Sequence, residues 1–561
     1  MTSSAKDKEA LINQFDTLLS EYSSTTAPGL VVGVSLEGET IYRRGFGMAS
    51  LEHATANTPR TRMRIGSTSK QFTAVALLHL AESGVLNLDD AVNEHYPELP
   101  ELQGYPTLRQ LLNHTSGYRD VQEIALNAAG LAVQPKGLIL RALEKQSSAI
   151  FAPGDGQIYC NAGYYLISEI ISRISGLPFA SYLREHIFRP LGMHDTELLE
   201  SDMQIVPRMA TLHMPPVDGV YRRGILVNEE TSGCGGIIST IDDLLIWGEL
   251  LLTRNKLLST AGWEQLLAPT KLNSGVSTGY GLGIYRHPIR GIEMIHHAGG
   301  VIGGNSQLLV VPEHRLCISA ISNAHHIAAA ALAIQLAEAV LEEHLEAPTP
   351  PPSSHGYEHL LGKHYHHEQG LVFGFDDVAG VIGVSAQLSP VAPVLKAEAE
   401  NLVAHWEDIG MGPFAFPLDG MQPDSDGLAP ATMTILEGGV PKVLRLLPEN
   451  ADAFDAVELE GEYFCGDMDT WANISVEKSK LSMEFFGLYG HRKMKMTPRF
   501  NGVLDCMSLD PMAPVRFPVT IRRNREIVTG FHICNTRSRD MVFQRLAPRP
   551  SSNNNQGTSN G

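Results

Sequence analysis

Ser67-Thr68-Ser69-Lys70, at the mouth of the apolar stretch Gln71–Ala81, is the passage whose reading decides the fold. On a helix, a serine and a lysine three residues apart share a face, one turn from each other. An amine is then within reach of a hydroxyl that is otherwise a poor nucleophile. The unpaired N–H groups of a helix start favour negative charge developing beside that hydroxyl. The pairing points to serine acyl transfer. Alone the pattern is weak: Ser-x-x-Lys is frequent, and a Ser/Thr cluster ahead of a helix is ordinarily an N-cap.

Two later segments strengthen it. Tyr159-Cys160-Asn161 follows the turn Pro153-Gly154-Asp155-Gly156 and precedes an apolar helical run through Tyr164, Leu166, Ile167, Ile170 and Ile171. A tyrosine near a lysine can share its proton, and an asparagine can accept from an ammonium while bonding a substrate amide. The plain alternative is a buried tyrosine with a satisfied hydroxyl. His297-Ala298-Gly299-Gly300 closes the run Gly291–His296, which reads as a strand. Its glycines allow close backbone approach, so a ligand could dock along it; the alternative is a tight turn with an incidental histidine.

In chain order and separation, the three segments resemble the penicillin-recognising serine hydrolases, the serine β-lactamase and penicillin-binding-protein-like superfamily. Leu111-Leu112-Asn113-His114-Thr115-Ser116-Gly117 resembles that family's turn after the catalytic helix, and Gly236–Thr240 with Asp242-Asp243-Leu244 its segment before the last strands. One branch is most similar, the bacterial D-aminopeptidase with two C-terminal β-barrels. That likeness runs through Ser69–Thr73, Tyr159–Asn161, His186-Ile187-Phe188 with Gly192-Met193, and His297-x-Gly. It continues in Gly370-Leu371-Val372 and Gly461-Glu462-Tyr463. Val301, Ile302 and Asn305 depart from the polar, arginine-containing run expected there.

The resemblance implies an α+β fold: a β-lactamase/transpeptidase-like catalytic domain, with an antiparallel sheet flanked by helices, followed by two antiparallel β-barrel domains. It implies catalytic roles for Ser67, Lys70, Tyr159, Asn161 and His297, with Gly299, Gly300 and Asp510 binding substrate. Ser67 would attack an amide carbonyl, Lys70 and Tyr159 would move the proton, and Asn161 would orient Lys70 and substrate. Which of Lys70 and Tyr159 is the general base stays open. Backbone N–H groups of Ser67 and Gly300 would hold the oxyanion. His297 stands where related enzymes carry a lysine; a largely neutral imidazole attracts a substrate carboxylate less. Met507–Pro514 looks like the barrel loop with which the branch recognises a free α-ammonium, Asp510 being its carboxylate. The function implied is removal of N-terminal D-amino acids from short peptides, amides or esters through an acyl-enzyme. The alternative is a β-lactamase-related carboxylesterase or penicillin-binding hydrolase. Handedness rests on the resemblance alone.

Composition fits this picture. At 561 residues the chain exceeds one ordinary core, and 43% hydrophobic with 19% charged residues is a globular balance. The longest apolar candidate, Ile327–Leu341, contains Gln335 and Glu338 and does not read as a membrane span. The N-terminal amphipathic pattern (Leu11, Ile12, Phe15, Leu18, Leu19) has no signal core, and six scattered cysteines read as free thiols, with Cys160 a packing residue. A cytoplasmic setting is expected, with no cofactor, no metal, no nucleic-acid or membrane partner, a small peptide or amide substrate, and a homodimer left open.

Organisation follows from patterning. Gly29–Leu36 and Thr40–Gly47 read as a hairpin. Strands are expected at Gly281–Tyr285, Ile292–His296, Gln307–Val311 and Cys317–Ile321, and a helix over Ala328–Leu345. The expected domains are 1–345 (catalytic), 346–355 (a proline-rich linker), 356–456 and 457–548 (barrels, the second carrying a substrate-restricting loop) and 549–561 (a disordered tail). Residues 351–460 hold 4 Lys/Arg against 17 Asp/Glu, net −13 of the chain's −19, and residues 461–561 hold 14 against 9, net +5. Opposite signs favour the two modules packing together. The run His364-Tyr365-His366-His367 reads as exposed strand histidines, lacking other ligands at metal spacing.

Overall fold

The hairpin forms because Glu37 and Gly38 both take positive φ (54° and 83°), as a two-residue turn between twisted strands requires. Its arms, Leu30–Leu36 and Glu39–Phe46, lie at one edge of a six-stranded antiparallel sheet. Beyond Leu30–Leu36 come Leu316–Ser322, Gly304–Val311, Ile292–Val301 and Tyr285–Ile289. The two ends of the catalytic region thus share one sheet. The computed structural model describes residues 5–130, 132–224, 228–389, 393–404, 414–448, 456–478, 480–509 and 515–547. Asp510 and the tail 549–561 lie outside the described residues.

Both faces of the sheet are covered. Helices Ala5–Leu19 and Ala329–Leu341 seal one face, where Phe15, Leu19, Leu332 and Leu336 meet Val32, Val34 and Leu309. Helix Ile241–Thr253 seals the other, so close that a Cβ on Gly33 would fall 2.4 Å from Ile241 Cγ2. The C-terminal helix ends at Leu341, short of the expected Leu345. The expected strand Gly281–Tyr285 is a correction: only Tyr285 is in a strand, which runs on to Ile289. Gly283 sits at φ +73°, and a Cβ there would meet the Lys70 carbonyl oxygen at 2.7 Å, so the segment bends under the catalytic helix instead of extending.

Two β modules follow. Gly461–Cys465 through Met541–Arg545 make a closed eight-stranded antiparallel barrel. The first module is also eight-stranded and antiparallel, from Val381–Ala386 at one edge to Lys396–Glu398 at the other. It is an open, half-barrel sheet, although segment 393–395 bonds back to its first edge through Val384 N–H to the Pro393 carbonyl and Leu395 N–H to the Ile382 carbonyl. The modules touch through the buried ion pair Arg539–Glu437 and the bond between Gln387 Nε2 and the Cys534 carbonyl. The histidine run is not exposed: His367 is fully buried and accepts from Gln369 N–H, and His366 Nε2 meets Thr520 Oγ1 of the barrel at 3.2 Å. Packing between modules covers a face that strand alternation alone left to solvent. One apolar core runs from the catalytic helix (Phe72, Leu77) through Ile124 and Ala125 into the barrel interior (Phe485, Phe517, Phe531). No described helix is long and apolar enough to cross a membrane.

Candidate active site

Ser67 lies in a single 3-10 turn, Gly66–Ser69, that runs directly into helix Lys70–Glu82. That helix is buried on nearly every side, as its all-round apolar sequence requires. Ser69, at the N-cap position, makes no capping bond; its hydroxyl accepts from Ile237 N–H at 3.2 Å. Lys70 is fully buried, and its Nζ donates to Asn161 Oδ1 (2.8 Å), the Cys234 carbonyl (2.6 Å) and Ser67 Oγ (3.1 Å). Every ammonium proton therefore has an acceptor, without which burying the charge would be costly.

Strand Ile292–Val301 is stitched to this turn. Thr68 Oγ1 donates to the His297 carbonyl at 3.1 Å and contacts Ser306 Oγ at 2.9 Å, while Ser306 Oγ donates to the Ile65 carbonyl at 2.7 Å. The glycines permit the approach: a Cβ on Gly299 would lie 1.9 Å from the Ile65 carbonyl oxygen, and one on Gly66 2.7 Å from Gly300 N. Gly300 differs, because a Cβ there would meet nothing within 4 Å. It faces the open cleft.

Tyr159 and Asn161 flank the start of helix Asn161–Ser175. The Tyr159 ring packs on His114, centroids 4.1 Å apart, and Lys70 Nζ lies 4.8 Å from its centroid. Its hydroxyl is buried and has no hydrogen-bond partner among the described residues. Asn161 presents Oδ1 to Lys70 and donates from Nδ2 to Asp120 Oδ2 at 2.8 Å. Asp120 has no exposed surface; burial pushes its carboxyl up, opposed first by Arg537, then by Asn161 and Lys70.

His297 closes a polar chain. Cys160 N–H donates to His114 Nδ1 (3.1 Å), so His114 carries its proton on Nε2, facing the Tyr280 hydroxyl at 3.2 Å. That hydroxyl meets His297 Nε2 at 3.1 Å, and His297 Nδ1 donates to the Ala298 carbonyl at 2.6 Å. Burial, and behind it the Lys70 charge, pushes His297 down to about 3. Its imidazole is neutral where the corresponding lysine would be a cation.

Ser67, Tyr159, Asn161, His297 and Gly300 line one cleft of about 990 Å³. Lys70 and Gly299 lie just beneath its surface. Leu126, Leu138, Ile139 and Val206 give the cleft an apolar side. Sequence reasoning missed Asp120, Tyr280, the Cys234 carbonyl and the barrel residue Arg537, which also lines the cleft. Asp120 had a signal, lying three residues past the recognised turn and capping helix Val121–Ala129; the others had none. Among the described residues, no group of three His, Cys, Asp or Glu could hold a metal ion.

A family model described as Beta-lactamase matches residues 11–341. The D-aminopeptidase of Gluconobacter oxydans (strain 621H) is 27% identical over 534 residues, spanning 92% of this chain and 96% of the relative. The D-aminopeptidase of Brucella anthropi is 29% identical over 302 residues, 53% of this chain and 56% of its own. Among solved structures, the octameric penicillin-binding protein homologue from Pyrococcus abyssi superposes with a TM-score of 0.53 at 18% identity, covering 96% of this chain and all of that one. That likeness is one of fold.

Proposed function

The chain belongs to the beta-lactamase family, and from that premise we propose that it is a serine hydrolase removing N-terminal D-amino acids from short peptides, amides or esters through an acyl-enzyme. The observation that carries this reading is the buried Lys70 nitrogen 3.1 Å from Ser67 Oγ. Similarity to a D-aminopeptidase along nearly the whole chain, barrels included, supports the substrate class.

In this mechanism Ser67 Oγ attacks the substrate carbonyl carbon as its proton passes to the neutral Lys70 amine. Tyr159 relays that proton from Lys70 to the leaving amine, so both side chains end the step as they began it; a buried hydroxyl with no protein partner among the described residues suits a group that bonds to substrate. The N–H groups of Ser67 and Gly300 receive the oxyanion, a contribution whose removal typically costs about 3 kcal/mol. Water then attacks the ester, and Ser67 regains its proton. A neutral His297 offers a substrate carboxylate no fixed charge, which disfavours penicillin-like anions at that end of the cleft. Asp510, outside the described residues, remains our candidate for the α-ammonium. We also retain the domain division given above. A cytoplasmic setting draws support from six buried cysteines, all free thiols. A homodimer is the assembly to test by light scattering.

The deciding experiment compares kcat/KM for D- and L-alanine p-nitroanilide, a p-nitrophenyl ester and a chromogenic cephalosporin, in the native chain and Ser67→Ala. A marked D preference that disappears in Ser67→Ala supports the reading. Equal rates for both hands, faster cephalosporin turnover, or activity surviving Ser67→Ala would overturn it.

A further inference from the structure

The closed barrel reaches the cleft through the connection between its last two strands. Between strands Ile527–Ile533 and Met541–Arg545, the segment 534–540 lies along the start of helix Val121–Ala129. Thr536 Oγ1 and Arg537 N–H donate to the two Glu123 oxygens at 2.7 and 2.9 Å. Ser538 Oγ donates to the Asp120 carbonyl at 2.8 Å, and Asp120 N–H to the Arg537 carbonyl at 3.3 Å. Arg119, 1% exposed, donates from Nε to the Arg539 carbonyl at 2.8 Å. A segment bonded at this density has a fixed position.

That position aims Arg537 at the reacting groups. Its guanidinium carbon lies 5.0 Å from the Tyr159 ring centroid, and its Nη1 3.7 Å from Asp120 Oδ2. Asp120 Oδ2 accepts from Asn161 Nδ2, and Asn161 Oδ1 accepts from Lys70 Nζ, both at 2.8 Å. An unbroken polar path therefore joins a barrel arginine to the lysine beside Ser67.

We propose that Arg537 is a positioning residue of the active site, steadying Tyr159 directly and Lys70 through Asp120 and Asn161, so that the last barrel completes the catalytic machinery. This inference rests on the serine-hydrolase reading above. The physical argument turns on Asp120. Facing it are Arg537 from the barrel, Lys70 from the catalytic helix, Glu123 from its own helix, and Cys160 beside Asn161. Burial favours protonation of both carboxyls, and Arg537 heads the charges opposing it at each. Without Arg537, Asp120 takes up a proton at higher pH. A protonated Asp120 can donate to Asn161, and the amide then gains by turning over, which faces its NH₂ toward Lys70 and breaks the bond that holds the ammonium.

The test uses full-length Arg537→Ala, Arg537→Gln and Arg537→Lys, with thermal unfolding to establish folding and pH profiles from 4 to 9 on two substrates. These are D-alanine p-nitroanilide and p-nitrophenyl acetate; the ester requires Ser67 and Lys70 but no stereochemical selection. In the neutral variants we expect kcat to fall about 10- to 100-fold, as for other lost positioning contacts, with KM changed little. The acidic limb of kcat/KM should move to higher pH on both substrates, and Arg537→Lys should restore the limb while recovering only part of kcat. A folded neutral variant with the native limb and kcat overturns the proposal. So does Arg537→Lys matching the neutral variants in its limb. Should Arg537→Ala not fold, Arg537→Gln decides by the same criteria. Failure of the D-aminopeptidase reading is separate: the native chain would ignore the D-anilide, and the ester profile would still report on Arg537.

Discussion

Gly299→Ala isolates the contact that brings the sheet edge to the catalytic turn. The new Cβ would lie 1.9 Å from the Ile65 carbonyl oxygen and 2.5 Å from Ser306 Oγ. A Cβ essentially never lies closer than 3.0 Å to a non-bonded heavy atom, so the strand and the turn must part by about 1 Å. The nearer partner is backbone, so no rotamer change relieves the clash with Ile65. Such overpacking typically costs about 1–3 kcal/mol, which in a domain of this size lowers Tm by about 1–2 °C for each kcal/mol. The kinetic effect should be larger than the thermal one. Gly300 N lies beside Gly66, so the parting moves one proposed oxyanion donor away from Ser67, and a misplacement of this size can cost about 100-fold in rate. Gly300→Ala is the partner experiment: its Cβ meets nothing within 4 Å, so Tm should hold while the methyl group crowds the cleft and raises KM. Differential scanning fluorimetry and steady-state kinetics on a D-amino acid anilide read both variants. Gly299→Ala with native Tm and native kcat would refute the reasoning, as would Gly300→Ala being the less stable of the two.

Further outcomes follow from the buried charges. His297 is held near 3, and His114 and His296 well below 6.5, each chiefly by burial. The unfolded chain binds more protons than the folded one between about 6.5 and those lower values, so stability present above pH 6.5 should drain away as the pH falls. Urea unfolding at pH 7, 6 and 5 should show this, with a shallower loss in His297→Asn. Arg539, 2% exposed in its side chain, pairs with Glu437 across the two β modules. Arg539→Ala strands a buried carboxylate and should cost about 3–5 kcal/mol, whereas Arg539→Met with Glu437→Met should recover much of that in chemical denaturation.

The legible part of this protein was local chemistry at short spacing. Ser67 and Lys70 could be paired because helical geometry fixes residues three apart, and the hairpin around Glu37-Gly38-Glu39 because apolar and polar residues alternate on either side of it. His297 could be placed on a strand, and Tyr159 ahead of a helix, from periodicity; resemblance brought them to one site. What sequence could not supply was covered surface and long-range partnership. His366 alternates like a solvent-facing residue, opposite in face to the core residue Tyr365, and the barrel residue Thr520 packed against it changes that. Asp120 reads as an ordinary helix cap, yet it touches Asn161, 41 positions away, and Arg537, more than 400 positions away. The segment Gly281–Ile284 has strand-like composition, but the Lys70 carbonyl beneath Gly283 bends it.

Those long-range partners give Lys70 a property that matters on the proposed mechanism. Of its three contacts, Asn161 Oδ1 and the Cys234 carbonyl can only accept, while Ser67 Oγ can donate or accept. A neutral amine directs its two hydrogens at the pure acceptors and turns its lone pair to the Ser67 hydroxyl. An ammonium keeps those two bonds and donates the third to Ser67 Oγ. Proton transfer between Ser67 and Lys70 therefore reverses one hydrogen bond and moves no side chain, so little reorganisation opposes it. Asn161→Ala breaks this balance in both protonation states. It leaves one Lys70 N–H and the Asp120 carboxylate each short of a partner, at about 1–3 kcal/mol for each buried group. The loss should appear in kcat by about 100-fold, with KM near native, and should persist at alkaline pH because the neutral amine is equally short of an acceptor. Recovery of native kcat as the pH is raised would mean that Asn161 only tunes the charge of Lys70 and does not orient it.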